Sequence, residues 1–151
     1  MFNFKKKTEK STKHVFKDLA ISLPSNWKFE TEDGEIEACF DPDKSSTFRI
    51  HVMRVSSTES KSIEGKITDL TGGQKYTTLE NGFILTNTQA REVIEQGIEL
   101  TVYTRRLIHL SNEIAKMAIL TYTFITIEKD SIFEKETIAF LEEAMLNAEF
   151  I

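Results

Sequence analysis

The sequence predicts one α+β domain: a mostly antiparallel, strongly twisted sheet carrying one short middle helix and one long C-terminal helix. Three observations predict it. Apolar and polar residues alternate in short runs through the first third of the chain. Three longer strand-like runs follow, joined by connections short enough to require antiparallel neighbours. Two stretches change to helical spacing, one in the middle and one at the end. The 151 residues suffice for a single core, and no repeat, low-complexity tract or linker divides them.

In chain order, Leu19, Ile21 and Leu23 alternate with Asp18, Ala20 and Ser22, so a half-buried strand is expected from His14 to Leu23, stopped by Pro24. Trp27 and Phe29 resume the alternation, and Asp33-Gly34 marks a two-residue hairpin turn. Ile36, Ala38 and Phe40 form the next apolar face; "DPDKSS" turns the chain, and Phe48, Ile50 and Val52 alternate beyond it. Matching those faces pairs Phe40 with Phe48, Ala38 with Ile50 and Ile36 with Val52. It also sets Cys39 beside Arg49 and Glu37 beside His51 on the opposite face.

Ile63, Ile67 and Leu70 fall at helical spacing between Ser62 and Leu70, and Gly72-Gly73 supplies the stop. Asn81-Gly82 is the clearest hairpin turn, between "YTTLE" and "FILTN". The three long runs cover about Phe83 to Ile94, Ile98 to Leu110 and Ile114 to Ile127, with "EQG" and "SNE" between them. A helix from Ser131 to about Ala148 closes the chain, and Ser131 and Glu134 have capping-box spacing. Its apolar stripe is Phe133, Thr137, Phe140, Leu141, Ala144, Met145 and Ala148; Glu134, Lys135, Glu142, Glu143 and Asn147 are expected on the wet side.

Composition is that of an ordinary soluble protein, with 40% hydrophobic and 28% charged residues. The lysine cluster in "MFNFKKKTEKSTK" is followed by polar "STKHVFKD", not by the apolar stretch of a signal peptide, and no run approaches a membrane-spanning length. Residues 1–13 are expected to be a flexible basic terminus, 14–151 the domain, and the protein cytoplasmic. The net charge of −5 is uneven: Glu30 to Asp43 carries −7 and the rest +2. Without a basic stripe interleaved with aromatics, nucleic acid is not expected as a partner.

Chemistry is sparse. Cys39 is the only cysteine, so no internal disulfide and no cysteine metal cage are expected. In the register above, Arg49 would favour its thiolate with His51 two residues along, which leaves a small Cys39-dependent hydrolase or transferase as an alternative. No Gly-rich elbow surrounds Cys39, and a small buried hydrophobe is the simpler reading. His14, His51 and His109 lack ligand spacing; "DPDKSS" lacks the central Gly and distant Glu of a calcium loop. "LTGGQKY" lacks phosphate-loop spacing. No metal and no cofactor is expected. Trp27, the only tryptophan, reads as a cap on the core, though the same residue type anchors interfaces.

The opening strand "FKDLAISLPSNW", the hairpin and short helix after it, the meander ending in "AILTYTFITIEKD" and the terminal helix "FEKETIAFLEEAMLNAEF" together resemble the PsbP-like superfamily. That superfamily includes the extrinsic photosystem II protein, the release factor for the Ran GTPase, and bacterial relatives, some of which are chaperones or adaptors for type VI secretion effectors. The resemblance spans nearly the whole chain and rests on structural signatures, so it carries no site residue across. It implies an α/β/α sandwich and function by binding another protein, not catalysis.

Residues and resemblance therefore converge on a non-catalytic protein-binding module in a bacterial cytoplasm: an adaptor, a chaperone or an inhibitor-like domain. A homodimer with a buried strand edge or sheet face is a third reading. The candidate partner-binding residues are the carboxylates Glu30, Glu32, Asp33, Glu35, Asp41 and Asp43, read either as a solvated edge or as a docking patch for a basic surface. A chaperone-like module should instead expose a broad apolar strip on the sheet or a groove beside a helix.

Overall fold

The computed structural model describes residues 10–56, 62–111 and 114–151. Eight strands form the main sheet: β3 (Lys28–Glu32), β4 (Ile36–Phe40), β5 (Thr47–Ser56), β6 (Tyr76–Thr78), β7 (Ile84–Thr86), β8 (Gln89–Glu95), β9 (Ile98–Leu110) and β10 (Ile114–Ile125). Their order is β3-β4-β5-β10-β9-β7-β6, with β8 also on β9, and every pairing is antiparallel. The expected α+β class holds.

One expected strand is two. Residues 14–23 were expected to run unbroken, but the chain reverses at Lys17-Asp18, with Lys17 at φ 55°. β1 (Ser11–Phe16) pairs back on β2 (Leu19–Pro24), and the closing β11 (Glu149–Phe150) adds to the other side of β2. This small sheet is separate from the main one. Of the basic segment 1–13, residues 1–9 lie outside the described residues, while Ser11, Thr12 and Lys13 are strand. The Asp18 carboxylate accepts from Arg54 and lies 3.6 Å from Lys116 Nζ, tying this hairpin to β5 and β10.

The other elements follow local chemistry. Asp33 (φ 53°) and Gly34 (φ 72°) occupy the left-handed region that a tight hairpin needs, and Glu35 N donates to Glu32 O. The run expected from Phe83 to Ile94 divides into β7 and β8. The pairing of β7 with β9 is offset by one residue from that of β8, which is a bulge around Thr86 to Thr88. Thr86 fills it, accepting from Arg106 N on its Oγ1 and from Arg105 Nε on its carbonyl. The helix α1 (Ile63–Thr71) is capped by Ser62 and stopped by Gly72 at φ 66°; α2 (Ile132–Leu146) is capped by Ser131.

The two faces of the main sheet are covered unequally. On one, Cys39, Phe48, Ile50, Leu107, Leu120 and Phe124 pack against β2 and the Leu141–Ala148 end of the C-terminal segment, forming the larger core. On the other, α1 covers only one end, where Leu70 and Ile67 meet Ile84, Ile108, Met117 and Met53. Arg106 holds α1 there, donating to Leu70 O at 2.8 Å with its guanidinium against Gly72.

Candidate functional site

The carboxylates of the acidic segment are set by the β3–β4 hairpin, whose strand β3 is the outermost of the sheet. Glu32, Asp33 and Glu35 stand at its tight turn, and Asp41 and Asp43 in the β4–β5 turn at the opposite end of the strands. Glu30 lies between, on the face away from the larger core. Five strand residues at about 3.3 Å each separate the ends by roughly 17 Å, so the six residues form two groups joined by Glu30. Glu32 pairs with Arg49 at 3.0 Å, and Glu35 with Lys17 at 3.6 Å. Asp41 accepts from Asp43 N at 2.9 Å and from Asn26 Nδ2 at 3.4 Å. Glu30, Asp33 and Asp43 are exposed and make no ion pair among the described residues.

The expected β4–β5 register is off by one residue, and that corrects the chemistry proposed around Cys39. Cys39 pairs with Phe48, Ala38 with Arg49 and Ile36 with His51. A slip of one position turns every side chain of the strand over. Cys39 therefore points into the larger core, fully buried, while Arg49 and His51 lie on the other face. Burial, reinforced by the Glu37 charge, pushes its thiol up to about 12. The physical reason is that Glu37, chosen as surface by its charge, has partners inside. Its Oε2 lies 2.9 Å from His14 Nε2, its Oε1 accepts from Thr31 Oγ1 at 2.8 Å, and His14 stacks on Phe29 at 3.8 Å. His109 sits apart, against Phe83 and Phe150. Among the described residues no group of three His, Cys, Asp or Glu side chains could hold a metal ion.

A second correction concerns α2. Glu134 was expected on the wet side; it is 3% exposed. Ser131 caps its backbone N–H as the spacing predicts, but the side chain turns inward and accepts from the Tyr122 hydroxyl. Burial raises the Glu134 carboxyl above its usual range, against the lowering effect of hydrogen bonds from Tyr122 and Ser46; burial and the Glu134 bond raise the Tyr122 phenol too. Beside this cluster lies a cleft of about 40 Å³ between the Pro24–Trp27 turn, Asp41 and α2. Trp27 and Thr137, both buried, line it together with Phe133 and Phe140 of α2, and Glu136 adds a second carboxylate to Asp41. The sequence carried the signal for this wall, since Phe133 and Phe140 are two helical turns apart. Their joining with Trp27 depends on how α2 docks, which spacing does not give.

Beyond α1, burial along the α1 face of the sheet is mixed: Val102 and Ala38 are buried, while Val93, Leu100 and Ile125 are half-buried. One row across it is Val93, Leu100 and Ile125; the next is Arg91, Val102, Thr123 and Thr47; a third runs Gln89, Thr104, Thr121, Arg49 and Ala38. None of these lies in the cluster under α1. Beyond the first row, Ile98 lies on the same face opposite Glu95 and is 49% exposed; Ile127, just past the end of β10, is 90% exposed.

No protein-family model matches the sequence, and no curated protein matches it. Solved structures do. A crystal structure from Bacteroides thetaiotaomicron VPI-5482 matches with a TM-score of 0.56 and 15% identity over 89% of this chain; the chain spans only 45% of that protein. LpqN of Mycobacterium tuberculosis, involved in cell envelope biogenesis, matches with a TM-score of 0.60 and 12% identity, covering 92% of this chain and 88% of that one. The solution structure of CyanoP, the cyanobacterial PsbP of Synechocystis sp. PCC 6803, covers 100% of this chain and 98% of its own at 10% identity and a TM-score of 0.42, which adds no weight. The fold is one shared with the first two of these solved structures. At these identities the likeness concerns fold alone. Among the described residues no helix is long and apolar enough to cross a membrane.

Proposed function

We propose that the protein is a non-catalytic protein-binding module, an adaptor, chaperone or inhibitor-like domain. The observation that carries this reading is the half-covered sheet. A sheet face normally lies under another layer, yet among the described residues α1 covers one end only and leaves an aliphatic end where Val93, Leu100 and Ile125 are half-buried and Ile98 is exposed. That is the apolar strip expected of a chaperone-like module. The complete burial of Cys39, which pushes its thiol pKa up, speaks against thiol catalysis. A lone buried thiol also suits a reducing compartment such as a bacterial cytoplasm. The carboxylates Glu30, Glu32, Asp33, Glu35, Asp41 and Asp43 would add a basic preference to the partner and hasten its approach.

The test is capture of partners from host lysate on three forms of the protein, at low and high salt. The forms are wild type, the Ile98→Ser/Ile127→Ser variant and the Glu30→Lys/Asp33→Lys/Glu35→Lys variant. A stoichiometric partner lost on the isoleucine variant and kept in high salt supports recognition by the open face. One lost on the lysine variant and in high salt supports the acidic hairpin. If no form retains a protein and iodoacetamide modifies Cys39 in the folded state, the non-catalytic reading fails.

A further inference from the structure

We propose that the cleft over Trp27 is an anchoring site for a single basic side chain, an arginine or lysine presented by a protein partner. This rests on the binding-module reading and names the chemistry of the partner at one point of contact. Size excludes the commoner alternative. Small-molecule sites occupy roughly 300–1,000 Å³, whereas this cleft holds about 40 Å³, room for the tip of one side chain.

Its walls fit a cation. Trp27, Phe133 and Phe140 present aromatic surface, and aromatic faces attract ammonium and guanidinium groups. The molecule already uses one of them so: Lys44 Nζ lies 4.7 Å from the centre of the Phe133 ring. Asp41 and Glu136 both line the cleft, one from the β4–β5 turn and one from α2. Asp41 is held in place by the Asp43 amide and by Asn26, neither of them a cation. Neither carboxylate makes an ion pair among the described residues. An entering guanidinium would stack on the rings and donate to the carboxylates, the combination for which arginine is suited over lysine. Lys44, already over Phe133, opposes that entry by charge.

Trp27 is the only tryptophan, so its fluorescence reports on this cleft directly. The experiment is a titration of the full chain with the peptide acetyl-Gly-Arg-Gly-Arg-Gly-amide, and with its citrulline counterpart, followed by Trp27 emission. A saturable change with the arginine peptide is expected, and at least tenfold weaker binding of the citrulline peptide. Asp41→Asn and Glu136→Gln should each weaken binding at least threefold, and Lys44→Met should strengthen it. Glu143→Gln, which removes one exposed carboxylate elsewhere on α2, should change it less than twofold. Circular dichroism of each variant confirms the fold. Equal binding of both peptides, a loss on Glu143→Gln equal to that on Asp41→Asn or Glu136→Gln, or no saturable change overturns the proposal. A lysate partner still captured by Asp41→Asn/Glu136→Gln would overturn the cleft while leaving the binding-module reading intact.

Discussion

The two faces of the main sheet are made from the same strands and have opposite fates. On the closed face, β2, β11 and α2 bury Phe48, Ile50, Leu120 and Phe124 to 1% exposure or less. On the open face, nine residues of α1 cover one end, and the rows beyond it mix threonine, arginine and aliphatic side chains. The larger core lies on the first, and the second is the face proposed for recognition. Substitutions should therefore differ in cost by face more than by residue type.

The largest contrast is Phe124→Ala. Phe124 is 1% exposed and meets Tyr103 edge-on at 5.3 Å. Removing a ring from a closed core is expected to cost about 3–5 kcal/mol, read as a lower urea midpoint. A cost under about 1 kcal/mol would mean that the closed face is not the main core.

Next comes the buried polar pair on that face. Glu134→Ala leaves the Tyr122 hydroxyl, buried with its residue at 5% exposure, without this acceptor and should cost about 1–3 kcal/mol. Glu134→Gln separates charge from contact. Because the folded carboxyl sits above its usual 4.5, its contribution is fully present below the unfolded value and is lost as pH rises through the folded one. The wild type should therefore lose stability relative to Glu134→Gln as pH rises from about 4.5 through the raised folded value, measured by thermal melts across pH. Parallel curves for the two proteins would refute the assignment.

Asp18 tests the link between the small sheet and the main one, with the opposite sign. Its hydrogen bond from Arg54 first, then the charges of Arg54 and Lys116, hold the carboxyl below its usual 3.8. Its contribution is present above the unfolded value and is lost as pH falls through the lower folded one. Asp18→Asn should lower the melting temperature at neutral pH by less than Glu134→Ala does. The gap should close in acid, below that folded value.

How much of this was legible in the sequence follows the same division. Turn chemistry acts locally, so Asp33-Gly34, Asn81-Gly82 and the Ser62 and Ser131 caps were readable from a few residues. Charge and period misled where a partner lies far away in sequence. Glu37 and Glu134 read as wet because their partners, His14 and Tyr122, are remote, and one inward Glu37 turns the whole of β4 over, with Cys39. The Lys17-Asp18 reversal was hidden because it holds neither Gly nor Pro, the residues that mark such turns. The acidic residues were found by composition, but that their two ends lie a strand-length apart, one beside Trp27, is a product of the hairpin and of how α2 docks.

The smallest expected effect is the most informative about function. Ile98→Ser/Ile127→Ser removes two large aliphatic side chains, 49% and 90% exposed, one at the end of the open face and one just past β10. Exposed positions outside packed features usually change stability by no more than about 0.5 kcal/mol, so the urea midpoint should stay within that range of wild type. An apolar patch that neither stabilises the monomer nor lies under another layer calls for a reason to persist, and loss of partner capture by this variant at unchanged stability would supply one. If stability instead fell by 2 kcal/mol or more, the isoleucines would be part of a core and the open face would be closed in solution. Sedimentation then decides by what: a dimer at micromolar concentration that dissociates on the double substitution places a second copy there, and an unchanged monomer places the cover within the chain itself.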